Sequence, residues 1–128
     1  MGMFKVAVKL ANPGTPGRTA EVSLLVDTGA TLSWIPRPVL ENLGIQQEAE
    51  ISFVLANGGE VVRPVGPVRM TIDGRSLTLP VAFCEPGEEP VLGVTALEVL
   101  GFAVDPIEKK LIPRKHLALR SQIPKQTP

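Results

Sequence analysis

The 128-residue chain balances 13 Lys+Arg against 13 Asp+Glu and holds one His, one Cys, one Trp and no Tyr. That length supports one domain, and 44% apolar with 20% charged residues excludes a disordered or collagen-like chain. Zero net charge argues against nucleic acid as a partner, and the short aliphatic runs exclude a transmembrane helix. One Cys and one His leave no ligand set for a structural zinc or multi-histidine metal site. No metal or cofactor is expected, and carboxylates remain as the main catalytic candidates.

The first residues, Met1 to Val6, lack a basic stretch followed by a long apolar one, so no secretory signal is expected. Cytoplasmic residence is the default, in agreement with an unpaired thiol, and no membrane partner is expected. Phe4 to Leu10 alternates apolar and polar residues and predicts a strand. Asn12 to Gly17 is a cluster of turn formers and predicts a loop. Glu21 to Val26 predicts a second strand with a buried end. Pro38 suits the first turn of a short helix over Val39 to Leu43, closed by Gly44. Ile51 to Ala56 and Glu60 to Val65 flank Asn57-Gly58-Gly59 and predict a hairpin with a type I′ turn at Asn-Gly. A second hairpin is predicted from Val68 to Ile72 and Leu77 to Val81 around Asp73-Gly74. After the acidic loop Cys84 to Pro90 come Val91-Leu92-Gly93, a short helix near Thr95 to Leu100 and a closing Gly101. Phe102 to Val104 and Lys110 to Ile112 predict terminal strands around Asp105-Pro106. Thirteen prolines, about twice average usage, suit many short strands and few long helices. The fold class is all-β with two short helices.

The chain also repeats itself. Leu40-Glu41-Asn42-Leu43-Gly44-Ile45 returns 57 positions later as Leu97-Glu98-Val99-Leu100-Gly101-Phe102. Each copy follows an apolar segment and a glycine turn, Leu25 to Gly29 in the first and Val91 to Gly93 in the second, which predicts two related halves.

The segment that carries chemistry is Leu24-Leu25-Val26-Asp27-Thr28-Gly29-Ala30. A carboxylate directly after a buried strand is costly unless something uses it. The tripeptide Asp-Thr-Gly alone arises by chance in roughly a few per cent of chains this long, given average residue usage. Its bland reading is an Asx turn at a strand end.

In context this segment resembles the active-site loop of the retropepsin-like aspartic proteases, where an apolar pair precedes Asp-Thr-Gly-Ala. The resemblance runs roughly from Val22 to Asp105 in the family's order. After the loop come a helix like Val39 to Leu43, a glycine-tipped flap matched by Phe53 to Val62, and an apolar-apolar-Gly element plus helix matched by Val91 to Gly93 and Ala96 to Leu100. The resemblance implies a pepsin/retropepsin-like closed β-barrel over residues 1–113, followed by a basic tail over 114–128. It implies Asp27 as catalytic acid, Thr28 as the hydroxyl bracing two such loops, and Gly29 as the glycine whose backbone meets substrate. Ala30, of the viral type, implies a working pH less acidic than pepsin's. Asn57, Gly58 and Gly59 match a flap tip that closes over an extended peptide and offers it backbone N–H donors.

Aspartic proteases need two carboxylates sharing one proton, and this sequence holds a single Asp-Thr-Gly. Asp73-Gly74 lies in a hairpin turn and Asp105-Pro106 lacks the glycine turn, so the second acid is expected from a second copy of the chain. The expected protein is a homodimeric aspartic endopeptidase acting on peptides or proteins. The alternative is a catalytically silent domain of the same fold that binds peptides or serves dimerisation. Two departures accompany the resemblance: Thr31 and Val94 stand where retroviral enzymes carry a paired acid and Arg, and the flap tyrosine of the pepsin type is missing. Cys84 is expected as a small buried hydrophobe, Trp34 as core or, second, as a cleft residue, and His116 as a surface side chain. The last twenty-one residues hold six of the basic residues and one acid, Glu108, and are expected to be a solvated end.

Overall fold

The computed structural model describes residues 3–118. Strand β1 (Lys5–Asn12) turns at Pro13-Gly14 into β2 (Thr15–Val26), and their antiparallel pairing runs from Lys5↔Leu25 to Asn12↔Thr15. The predicted loop over Asn12 to Gly17 is therefore only a two-residue turn. A bulge between Ala11 and Asn12 takes up the irregularity, so Pro16 and Gly17 stay in strand. Strand β3 (Ser33–Pro36) leads into α1 (Arg37–Asn42), where Pro38 occupies the first turn. Then come β4 (Ala49–Val54), β5 (Glu60–Ile72), β6 (Arg75–Cys84), β7 (Val91–Leu92), α2 (Val94–Leu100), β8 (Phe102–Asp105) and β9 (Lys110–Pro113). The class is all-β with two short helices, as the composition implied.

Two further predicted details differ. The stretches over Glu60 to Val65 and Val68 to Ile72 form one strand. The strand β5 pairs with β4 up to Val65 and with β6 from Val65 onward, so Pro64 sits on the half with one partner, where a missing N–H costs least. Asn57 lacks the positive φ of a type I′ turn. The tip is a three-residue loop instead: Gly58 N–H donates to Leu55 O (2.9 Å), Leu55 N–H to Gly59 O (2.7 Å), and Gly58 alone is left-handed. The type I′ pattern falls at Asp73-Gly74, both with positive φ.

The strands run in the order β1-β2-β7-β3-β6-β5-β4, and β1 pairs with β5 as well, through Lys9↔Thr71 to Ala11↔Arg69. That pairing closes a ring of six strands and leaves β4 outside it, on the projecting half of β5. Strands β8 and β9 form a separate two-stranded sheet. Alternation along β1, β5 and β6 turns Val8, Leu10, Val68, Met70, Ile72, Leu79 and Val81 inward, where they meet Leu24, Ile35, Leu92 and the helix residues Leu40, Ala96, Leu97 and Leu100 in the main core. A smaller cluster of Leu32, Val65 and Ala82 lies under Trp34 and Phe53. Among the described residues no helix is long and apolar enough to cross a membrane.

The two halves are related in register. Strand β3 pairs in parallel with β6 (Trp34↔Ala82, Ile35↔Phe83), and β7 pairs in parallel with β2 (Val91↔Leu25, Leu92↔Val26). A shift of 57 positions interchanges these pairs, taking Trp34 to Val91 and Leu25 to Ala82. Both helices end on a left-handed glycine, Gly44 at φ +72° and Gly101 at φ +81°. This register corrects the match upstream of the helices. Gly93 corresponds to Pro36, and Asp27 corresponds to Cys84.

Candidate active site

Strand β2 ends by inserting between Phe4 and Pro90-to-Leu92. Val26 N–H donates to Phe4 O (3.0 Å), Leu25 N–H to Pro90 O (3.3 Å) and Asp27 N–H to Leu92 O (2.9 Å). The chain then reverses. Asp27 Oδ1 accepts Gly29 N–H at 2.9 Å, and Asp27 O accepts Ala30 N–H at 3.2 Å. The Asx turn is thus present, and it presents the carboxyl rather than consuming it, because Oδ2 takes no part. Asp27, Thr28 and Gly29 are all exposed in the single chain, so the cost of a buried acid does not arise within one copy.

The β7 turn fixes this loop from behind. Val94 N–H donates to Ala30 O (2.8 Å), Thr95 N–H to Thr31 O (3.1 Å), and Gly93 N–H to the buried Ser33 Oγ (2.9 Å). Backbone bonds from Val94 to Ala30 and from Thr95 to Thr31 therefore join the two segments where the acid–Arg pair of retroviral enzymes is absent. Ser33 is 1% exposed and, among the described residues, is the buried polar residue of the core. Its signal in the sequence was a lone hydroxyl in the run Leu32-Ser33-Trp34-Ile35.

Asp27 opens into a cleft of about 670 Å³. Asp27, Gly29, Ala30 and Thr31 form its floor, Ser52 to Ala56 of the β4–β5 hairpin one side, and Glu88, Glu89 and Val91 the other. Trp34 lines it too, half-buried, with its ring edge-on to Phe53 at 5.0 Å between centroids. Trp34 thus takes the second of its two expected places. Asn57, Gly58 and Gly59 are not brought to this cleft; the hairpin reaches it with Ser52 to Ala56. The N–H groups of Gly58 and Gly59 are engaged within the tip, by Leu55 O and by Asn57 Oδ1 (2.9 Å). Thr28 does not line the cleft either.

The wall from Cys84 to Pro90 is held by two arginines. Arg37 Nε and Nη2 donate to Glu85 (2.8 and 3.0 Å), and Arg63 forks onto both carboxylate oxygens of Glu88. Glu88 Oε1 also accepts Glu85 N–H at 2.8 Å. The Arg63 guanidinium lies 5.9 Å from the Trp34 ring centroid, so it joins hairpin, wall and cleft aromatic. The hydrogen bonds from Arg63 and Arg37 hold the Glu88 and Glu85 carboxyls below the usual glutamate range. Stability from such lowered groups is full above the ordinary glutamate range and is lost as pH falls through the folded value. Arg63→Ala is therefore expected to lower Tm most near neutrality, by the equivalent of roughly 1–2 kcal/mol for a part-buried charged pair. The gap to the parent should shrink as pH drops below the glutamate range. Thermal melts at pH 7, 5 and 3 check this, and an equal gap at all three refutes it. Cys84, 3% exposed and beside Glu88, has its thiol pushed up to about 11 by burial first and the neighbouring carboxylates next, so it stays protonated at neutral pH.

Residues 17–99 match the family described as "gag-polyprotein putative aspartyl protease". The chain belongs to this family. It is a retropepsin-like aspartic protease domain, and its fold agrees. The EIAV protease in complex with the inhibitor HBY-793 superposes with a TM-score of 0.52 at 22% identity, covering 85% of this chain and 91% of that one. A foamy viral protease–reverse transcriptase bound to an RNA/DNA hybrid gives 0.51 at 17% identity over 94% of this chain, which spans 13% of that protein. No curated protein sequence matches the chain. The tail over 114–128 is described only to residue 118. Within it, Arg114 N–H donates to Gly101 O (2.8 Å) and exposed His116 sets Nε2 2.7 Å from Val99 O, so the tail's first residues dock on the end of α2.

Proposed function

We propose that the protein is an aspartic endopeptidase that works as a homodimer, each copy supplying one Asp27. The observation that carries this reading is the pseudo-symmetric register. Under this register the counterpart of Asp27 in the second half is Cys84, and a protonated thiol cannot share a proton with a carboxylate as a second acid does, so one chain supplies no second acid. A second copy across a two-fold axis brings Asp27 to face Asp27. Two like charges that close cannot both ionise easily, so the pair holds one proton and titrates as a unit. The ionised carboxyl takes a proton from water as its oxygen adds to the peptide carbonyl carbon, while the protonated carboxyl donates to the carbonyl oxygen. Collapse of the tetrahedral intermediate breaks the C–N bond: the leaving amine takes the proton that the first carboxyl gained, and a gem-diol hydroxyl returns its proton to the second carboxylate, which restores the pair with one proton. In this reading Gly29 and Ala30 line the path of an extended substrate, Thr28 braces the two loops across the axis, and the hairpin with Asn57, Gly58 and Gly59 at its tip folds over the bound peptide.

Activity per mole is expected to fall on dilution through the concentration at which light scattering reports dissociation into monomers. Full specific activity in a demonstrated monomer removes the mechanism. Peptide binding without any cleavage, by a confirmed dimer, supports the silent domain instead.

A further inference from the structure

Among the described residues three carboxylates, Asp27, Glu88 and Glu89, line the cleft, and no Lys or Arg does. Two of the three are already accounted for. Asp27 is the acid of the reaction proposed above, and Glu88 is neutralised by the fork of Arg63 while also accepting Glu85 N–H. Glu89 is exposed and enters none of the ion pairs among the described residues. Its place is nevertheless fixed. It stands between Glu88, tied to Arg63, and Pro90, whose carbonyl accepts Leu25 N–H two residues before Asp27. The same cleft is lined by Trp34, Phe53, Val54 and Leu55. That apolar lining suits the aliphatic stem of a long side chain whose charged end remains in water.

We propose that Glu89 is a specificity-determining residue that selects a lysine or arginine side chain close to the scissile bond of an extended peptide. This rests on the reading of Asp27 as the catalytic acid. The recognition is a cation brought to an uncompensated carboxylate on a stiff wall, with the apolar stem laid against Trp34 and Leu55. A glutamate at the same substrate position meets the uncompensated charge of Glu89 and is disfavoured. In a two-fold dimer the second copy repeats the arrangement, so basic residues are selected on both sides of the cleaved bond.

The test has two arms. In the first, the wild-type dimer digests a mixed peptide library, and matched peptides with Lys, Gln or Glu beside the cleaved bond are then compared. Bonds cleaved by the wild type are expected to be enriched in flanking Lys and Arg. The Lys-over-Glu ratio of kcat/KM should fall roughly two- to five-fold in Glu89→Gln, the size of an exposed charge pair, and should invert in Glu89→Lys. In the second arm the same peptides, fluorescently labelled, are titrated onto Asp27→Asn protein with Glu89 intact or replaced by Gln. If cleavage occurs but the ratio does not respond to Glu89, the specificity assignment fails and the protease reading survives. If the wild type cleaves nothing but Lys-peptide binding depends on Glu89, the assignment holds and the protease reading fails. Neither cleavage nor Glu89-dependent binding overturns both.

Discussion

Asp27→Asn is expected to lower kcat/KM for peptide cleavage by on the order of 10⁴-fold or more, the scale that follows when a group central to the proposed chemistry is removed. Folding should be spared. Asp27 is exposed, and Asn keeps an Oδ1 that can still accept Gly29 N–H, now at 2.9 Å. A surface change that preserves its hydrogen bond usually moves stability by less than about 0.5 kcal/mol. Loss of activity with an unchanged melting curve therefore separates chemistry from structure. The same variant also reads the stoichiometry of the site. When wild type and Asp27→Asn are mixed in equal amounts and allowed to exchange subunits, about one quarter of the dimers keep two Asp27. Activity per wild-type chain then falls by about half, and it keeps falling as the variant is added in excess. A one-chain enzyme shows no such poisoning. Cleavage by Asp27→Asn equal to that of the wild type traces the activity to a contaminant.

Much of the fold was legible because its signals are local. Asp105-Pro106 marked the turn between β8 and β9, Pro38 marked the start of α1, and Gly44 and Gly101 marked the ends of the helices. The Asp-Thr-Gly turn was legible for the same reason, since the Asx bond from Asp27 to Gly29 spans two residues. Errors arose where a partner strand decides. Gly66-Pro67 looks like a break until β4 and β6 take successive halves of β5. Asn57-Gly58 has the composition of a type I′ turn, but closing Leu55 onto Gly59 leaves three residues to span, and only Gly58 needs positive φ. The cleft was the least legible part. Glu88 and Glu89 lie some sixty residues from Asp27 in sequence, and they become its wall only because Leu25 N–H bonds to Pro90 O. The internal repeat was visible at the helices, but the glycine before α2 suggested the wrong counterpart for the Asp27 turn. Strand pairing sets that match, and it makes Cys84 the counterpart of Asp27.

Gly93→Ala is expected to damage the site through packing alone. The residue has φ −90° and ψ 174°, an extended conformation open to any L residue, so backbone strain is not the issue. A Cβ there would lie 2.5 Å from Leu32 O, 2.6 Å from Leu32 C and 2.8 Å from Ala30 O. These are backbone atoms of the segment that follows Asp27, and they cannot turn aside as a side chain does. The Gly93 N–H is meanwhile fixed to Ser33 Oγ, and Ala30 O to Val94 N–H. Something must move by several tenths of an ångström, and what moves is the loop that carries the carboxyl. Overpacking of this kind costs about 1–3 kcal/mol, which lowers Tm by roughly 5–15 °C in a domain of this size. Activity should fall further than the population of folded protein does, because displaced Ala30 and Leu32 shift the Asp27 turn itself. Gly17→Ala is the control. A Cβ at Gly17 meets nothing within 4 Å, so its melting point and activity should match the parent within about 0.5 kcal/mol. If Gly93→Ala melts and cleaves like Gly17→Ala, the close approach of β7 to the Asp27 loop does not hold the site.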